Sequence, residues 1–231
     1  MTVRTTGVLL GGESVLVSIP DEPRWFYMFA HGAGAGMRHE FMARTAHALA
    51  ENHIATLRWE LPYMAQGRKR PDRADVAEQA VVTTWHALRA GDVAGVRAAD
   101  VRALATLPMF AGGKSFGGRM TSRAHAWTLG GLPGLAGVAF IGFPLYGAGK
   151  PPSTERADHL ARVQVPLLFV QGSRDELAEL SVLRPVVDAL APRAQLHVIE
   201  GADHSFSGRD RSVEIATTIA AWMDRVTDHE L

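Results

Sequence analysis

From Trp25 to the C-terminus, short runs rich in Val, Ile, Leu and Phe alternate with longer stretches whose apolar residues recur at helical spacing. Few architectures accept such a pattern. Strands that read as continuous apolar runs are buried on both faces, and the intervening helices supply the cover, so the expected class is α/β with a mostly parallel central sheet and helices on both faces. The predicted strands are a pair within Val8 to Ile19, then Trp25 to Ala30, Ile54 to Trp59, Leu107 to Gly112, Ala136 to Gly142, Leu167 to Gly172 and Gln195 to Glu200. Gly11-Gly12 between Leu10 and Glu13 predicts an antiparallel hairpin at the N-terminus. A helix is expected after Asp75, which is a fair N-cap, with Ala77, Ala80, Val81, Trp85 and Leu88 on one stripe. Two more should carry Leu177, Leu180, Leu183, Val187 and Leu190, and Val213, Ala216, Ile219, Met223 and Val226. A further helix, Ser115 to Ala126, is rich in Gly and Ala, as expected of one pressed closely on the strands. No repeat or linker divides the chain, which predicts a single domain over 1–231.

Composition narrows the chemistry. Hydrophobic residues make up 47% and charged residues 21%, enough for a large core. Lys plus Arg number 24 and Asp plus Glu number 24, so no net field draws the chain to nucleic acid or an acidic membrane. The absence of Cys excludes disulfides, thiol nucleophiles and cysteine-ligated metals. The N-terminal residues lack a secretory pattern and no apolar run is long enough to span a bilayer, so a cytoplasmic protein is expected. The histidines show no metal-ligand spacing; neither metal nor cofactor is expected.

The segment Ala111-Gly112-Gly113-Lys114-Ser115-Phe116-Gly117-Gly118 places Gly-x-Ser-x-Gly where a strand turns sharply into a helix. A serine on such a turn has its hydroxyl exposed, and glycines two residues either side avoid collisions with neighbouring backbone. Serine becomes a nucleophile only when a base takes its proton and an acid orients that base. Asp175, in Gln-Gly-Ser-Arg-Asp-Glu just beyond Leu167 to Val170, is the expected acid, although it could instead cap the following helix; Glu176 is the alternative. His204, in Gly-Ala-Asp-His-Ser-Phe after the last strand, is the expected base. His197, His159 and His229 lie less favourably, within a strand, before a strand and in the tail.

An oxyanion formed on acyl transfer needs two backbone donors. Phe116 supplies one N–H, and the small-residue loop Ala30-His31-Gly32-Ala33-Gly34-Ala35-Gly36 supplies the second, from Ala33 or else Gly34. A dinucleotide loop is disfavoured because no third Gly follows at the required offset. Together HGAGAGM (31–37), RWELPY (58–63), GGKSFGGRM (112–120), FPLYGAGKP (143–151), FVQGSRDE (169–176) and GADHSF (201–206) resemble an α/β-hydrolase. They are similar, more narrowly, to small hydrolases related to dienelactone hydrolase and to the testis-expressed and chromatin-complex-associated hydrolase-like proteins. The resemblance implies an α/β-hydrolase fold, a Ser115, Asp175 and His204 triad, and a small-molecule acyl substrate. Dienelactone hydrolases use a cysteine nucleophile where this chain has Ser115, so their substrate is not carried over. Some eukaryotic members of the wider group are complex subunits, which keeps a scaffold role open beside the hydrolase and an acyltransferase on the same triad.

Between Gly142 and Leu167 the chain is too short for a large cap domain. The site should therefore be open or loop-covered, favouring short acyl chains. Gly34, Arg58, Tyr63 and Tyr146 are candidate substrate contacts, with Phe116 and Phe143 as apolar wall. Arg58 and Arg68 to Arg70 could meet an anionic substrate, but pairing or loop fixing explains them more simply.

Overall fold

A computed structural model describes residues 2–127 and 131–228. The chain begins with an antiparallel hairpin of β1 (Val3–Leu10) and β2 (Glu13–Pro20), turning at Gly11 and Gly12, both with positive φ. Then follow β3 (Trp25–Ala30), α1 (Glu40–Glu51), β4 (Ile54–Trp59), α2 (Pro62–Ala65), α3 (Ala74–Ala90), β5 (Val93–Ala94) and α4 (Ala98–Leu104). The second half runs β6 (Met109–Lys114), α5 (Phe116–Trp127), β7 (Leu135–Ile141), a 3₁₀ helix (Glu155–Arg162), β8 (Leu167–Gly172), α6 (Leu180–Asp188), β9 (Ala194–Ile199) and α7 (Ser212–Asp228).

Among the described residues the strands form one nine-stranded sheet in the order β5-β1-β2-β4-β3-β6-β7-β8-β9. The strands from β4 to β9 in that order are parallel, and β2 meets β4 antiparallel. This is the expected α/β architecture with its N-terminal hairpin. One face is covered by α3, α5 and α6, with Trp85, Val81, Met120 and Leu183 in its core. On the other, α1 and α7 bury Leu49, Ile219, Trp222 and Met223. Fully burying a side chain of this size contributes roughly 1.5–3 kcal/mol, which is why these stripes, not helix propensity, hold the layers.

Trp25 to Ala30, Ile54 to Trp59 and Leu167 to Gly172 fall where the apolar runs predict. The nucleophile strand does not: it begins at Met109, after Pro108, which has no N–H to give to a ladder, and runs on to Lys114. Asp75 sits in the first turn of α3 and does not cap it; the N-cap position is Arg73. Leu177 lies outside α6 because its carbonyl already accepts the N–H groups of Leu145 and Tyr146, at 2.9 and 3.2 Å. Val213 is 63% exposed, since Ser212, Ile215, Ala216 and Ile219 take the inner face of α7. The short elements α2, α4, β5 and the 3₁₀ helix are too brief to leave a period in the sequence, and α1 was hidden by its many small residues.

Parallel strands send all their C-terminal ends to one edge, so the loops after β3, β6, β8 and β9 converge there. Between β7 and β8 the described structure has loops and the 3₁₀ helix, with no cap domain.

Candidate active site

The turn from β6 into α5 sets Ser115 at φ 47°, a left-handed conformation costing a β-substituted residue of order 1–3 kcal/mol. Packing fixes it there. The Ser115 N–H donates to Ile141 of β7 at 3.0 Å. A Cβ on Gly113 would lie 2.1 Å from the Ala30 carbonyl oxygen, and one on Gly117 would lie 2.3 Å from that of His31. Only glycine lets β3, β6 and α5 approach this closely, so both motif glycines are required for contact as well as for the turn.

The loops after β8 and β9 bring two further groups to Ser115. The Ser115 Oγ lies 2.8 Å from His204 Nε2, and His204 Nδ1 lies 2.8 Å from Asp175 Oδ2. Asp175 has a fully buried side chain and also accepts Gln171 Nε2 on Oδ2 and the Leu177 N–H on Oδ1. It is thus placed to orient the histidine and fixes the turn that leads to α6, but it does not cap that helix, whose N-cap position is Glu179. Glu176 is exposed. His159 is buried and bonded to Ser122, His197 faces Glu214 at 3.9 Å, and His229 lies outside the described residues.

Facing Ser115, the loop after β3 is held from behind. His31 is buried, its Nε2 accepts the Leu61 N–H at 3.0 Å, and its Nδ1 lies 2.8 Å from the Gly32 carbonyl. The Tyr63 hydroxyl donates to the carbonyls of Ala33, at 2.9 Å, and Gly32. Burial, then Glu60 and Asp72, push this hydroxyl up to about 12, so it remains a donor across the working pH range. Anchored carbonyls orient the following amides. The Ala33 N–H and the Phe116 N–H, the latter opening α5, make no hydrogen bond among the described residues.

Of the other candidate contacts, Gly34 is exposed with open space at its Cα. Arg58 is 3% exposed and directs its guanidinium inward, to the Met37 carbonyl at 3.1 Å and towards Ser18. Tyr63 is buried, and its ring stands 6.5 Å from that of Phe116. Tyr146 is buried with its hydroxyl accepting the Glu179 N–H, and Phe143 packs edge-on to Phe140 within the core. Arg68 pairs with Asp72 at 2.6 Å.

A partly buried lysine escaped the sequence reading. Lys114, inside the Gly-x-Ser-x-Gly motif, donates from Nζ to the His204 carbonyl at 2.5 Å, with the rings of Phe206 and Phe41 at 5.1 and 5.9 Å. Burial lowers its pKa to about 8 against the opposing pull of Asp175 and Asp203. A lysine ending an otherwise apolar strand was the available signal, because such a charge is kept only where it has a partner.

The hydrogen-bonded serine, histidine and aspartate lie within residues 23–229, the span that matches the family model described as the alpha/beta hydrolase domain. The chain belongs to the α/β-hydrolase family. This α/β-hydrolase is 18% identical to the dienelactone hydrolase of Anabaena variabilis, with a TM-score of 0.72 over 97% of each chain. The esterase domain of a Rhodothermus marinus protein superposes with a TM-score of 0.65 at 17% identity, over 97% of this chain and 99% of that one. A Mycobacterium tuberculosis protein that carries the provisional name of a phosphoribosyl transferase is 27% identical over 217 residues. The match takes in 89% of this α/β-hydrolase but only 42% of that relative, so the chain spans less than half its length.

Among the described residues no group of three His, Cys, Asp or Glu side chains is placed to hold a metal, and no helix is long and apolar enough to cross a membrane. A concavity of about 1030 Å³ lies beside the anchored loop against the first hairpin and α3. Val15, Met37, Trp59, Glu60, Met64 and Ala80 line it, and Ser115, His204 and Asp175 do not.

Proposed function

We propose that this α/β-hydrolase is a cofactor-free serine hydrolase that cleaves small esters or related acyl bonds through a covalent acyl-enzyme. The continuous relay from Asp175 through His204 to the Ser115 Oγ, with both links at 2.8 Å, carries the reading. In the first step the Ser115 oxygen attacks the acyl carbon while His204 Nε2 takes the hydroxyl proton. Asp175 holds the Nδ1 proton, so Nε2 is the free base, and it stabilises the imidazolium once formed. Charge on the carbonyl oxygen is met by the N–H groups of Phe116 and Ala33, which the helix start and the Tyr63 anchor preorganise. The leaving group departs with the proton from His204. Water, deprotonated in turn by His204, then releases the acid. The esterase and dienelactone hydrolase names of the two structural neighbours accord with this chemistry. A single domain working in the cytoplasm on a small molecule, without nucleic acid or membrane, remains the accompanying proposal.

A fluorophosphonate probe tests the reading directly. The native protein is expected to be labelled stoichiometrically at Ser115, because the probe phosphonylates an activated serine with loss of fluoride. An unlabelled native protein would favour the scaffold role instead. Substrate size is the next expectation: among p-nitrophenyl esters, acetate and butyrate should exceed decanoate in kcat/KM. The described residues include no cap domain to sequester a long chain. A clear preference for decanoate would overturn this and point to the concavity beside Met37 and Trp59 as an acyl groove.

A further inference from the structure

Arg119 stands one helical turn after Ser115, its N–H donating to the Ser115 carbonyl at 3.1 Å, so the two share a face of α5. Helical side chains lean towards the N-terminus of their helix, which carries this guanidinium back towards the serine. Its central carbon lies 6.0 Å from the Phe116 ring centroid. Such a placement normally brings a partner. Among the described residues, however, the Arg119 guanidinium makes no hydrogen bond or ion pair, and its Nε is buried and unsatisfied. Arg119 as a whole is half-buried and only its Nε is enclosed without a partner; a guanidinium so placed, with no acceptor in the described chain, is disposed to take one from outside it.

The surroundings do not balance its charge. Arg123, one turn further along α5, is already held by Glu78 of α3 at 2.5 Å. Arg156, which opens the 3₁₀ helix, has no side-chain acceptor among the described residues, and its guanidinium lies beside Gly147 in the loop after β7. That loop is on the same sheet edge as Ser115. Burial, then Arg156 and Arg123, push the Arg119 pKa down to about 10, and Glu78 alone opposes them. His159 adds no negative charge: burial with Arg123 and Arg119 holds it down to about 3, leaving it neutral and bonded to Ser122. In a chain of zero net charge this is a local cluster of positive side chains, opposed by Glu78 alone, near the N-terminal end of α5, where the helix dipole also favours an anion.

We propose that Arg119 and Arg156 form an anion-binding subsite beside Ser115 that holds a carboxylate or phosphate group of the substrate. The anion fills the vacant donors of Arg119 in a charge-assisted, bidentate fashion. The site is thereby biased towards acyl compounds that carry a negative group close to the reacting carbonyl. This deepens the hydrolase reading and rests on it only for the role of Ser115; anion binding itself requires no turnover.

Calorimetric titration of the native protein with inorganic phosphate and, separately, with succinate at low ionic strength tests the subsite independently of catalysis. Saturable binding of at least one anion is expected, the stronger of the two identifying the group the site prefers. Arg119→Met should weaken it by about tenfold or more, and Arg119→Lys, which keeps the charge, by less. In kinetics the ratio of KM for p-nitrophenyl hemisuccinate to KM for p-nitrophenyl butyrate should rise about tenfold in Arg119→Met if succinate is the better ligand. Absence of binding by both anions, or equal binding by native protein and a folded Arg119→Met variant, would overturn the subsite. Failure of both esters to turn over would count against the hydrolase reading and leave the calorimetric result standing.

Discussion

Replacing Ser115 by Ala is expected to lower kcat for p-nitrophenyl acetate by roughly 10³- to 10⁶-fold, with far-UV circular dichroism unchanged. The range reflects what remains when only the oxyanion donors and binding operate. Ser115 contributes little to the fold through its side chain, whose one hydrogen bond goes to His204. The backbone bonds of residue 115, to Ile141 and from Arg119, survive the substitution. Activity above about a tenth of native in the folded variant would remove Ser115 from the mechanism, whatever its distance from His204.

The path to that serine was legible in the sequence because the physics there is local. A strand that ends in Gly-Gly-Lys, followed by a serine and a second pair of glycines, marks a sharp strand-to-helix turn, and the three loops needed for the relay each follow an apolar run. Side-chain direction was less legible. Arg58 and Arg119 are both arginines near the sheet edge, yet Arg58 lies on a strand whose neighbours β2 and β3 enclose it, so it points to Met37 and Ser18. Arg119, four residues from Ser115, was passed over as part of a small-residue helix. Only tertiary packing reveals that Arg123 takes Glu78 and leaves Arg119 without an acceptor. The anchoring role of Tyr63 was not legible for a similar reason: it depends on the carbonyls of Gly32 and Ala33, some thirty residues earlier in the chain. Lys114 likewise depends on the distant His204 loop.

Asp175→Asn should lower kcat by roughly 10³- to 10⁴-fold, the scale on which a triad fails when its histidine is held in the wrong tautomer. The native carboxylate receives three donors and has no exposed side-chain surface: His204 Nδ1 and Gln171 Nε2 on one oxygen, and the Leu177 N–H on the other. An amide offers only one oxygen to these two positions. If that oxygen faces Leu177, the NH₂ group faces His204, whose Nδ1 must then accept. The proton moves to Nε2, and Ser115 loses its base. If the oxygen faces His204, the NH₂ group confronts the Leu177 N–H, and a buried donor goes unpaired at a cost of about 1–3 kcal/mol. Activity and stability thus trade against each other: the orientation that spares the Leu177 bond gives up the rate, and any activity kept above this range should come with a lower midpoint in urea. Glu176→Gln, one residue on and exposed, should keep kcat within about twofold. The reverse pattern, with Asp175→Asn active and Glu176→Gln inactive, would transfer the orienting role to Glu176. It would require the loop after β8 to rearrange, breaking the bond of Asp175 to Leu177 and with it the turn into α6.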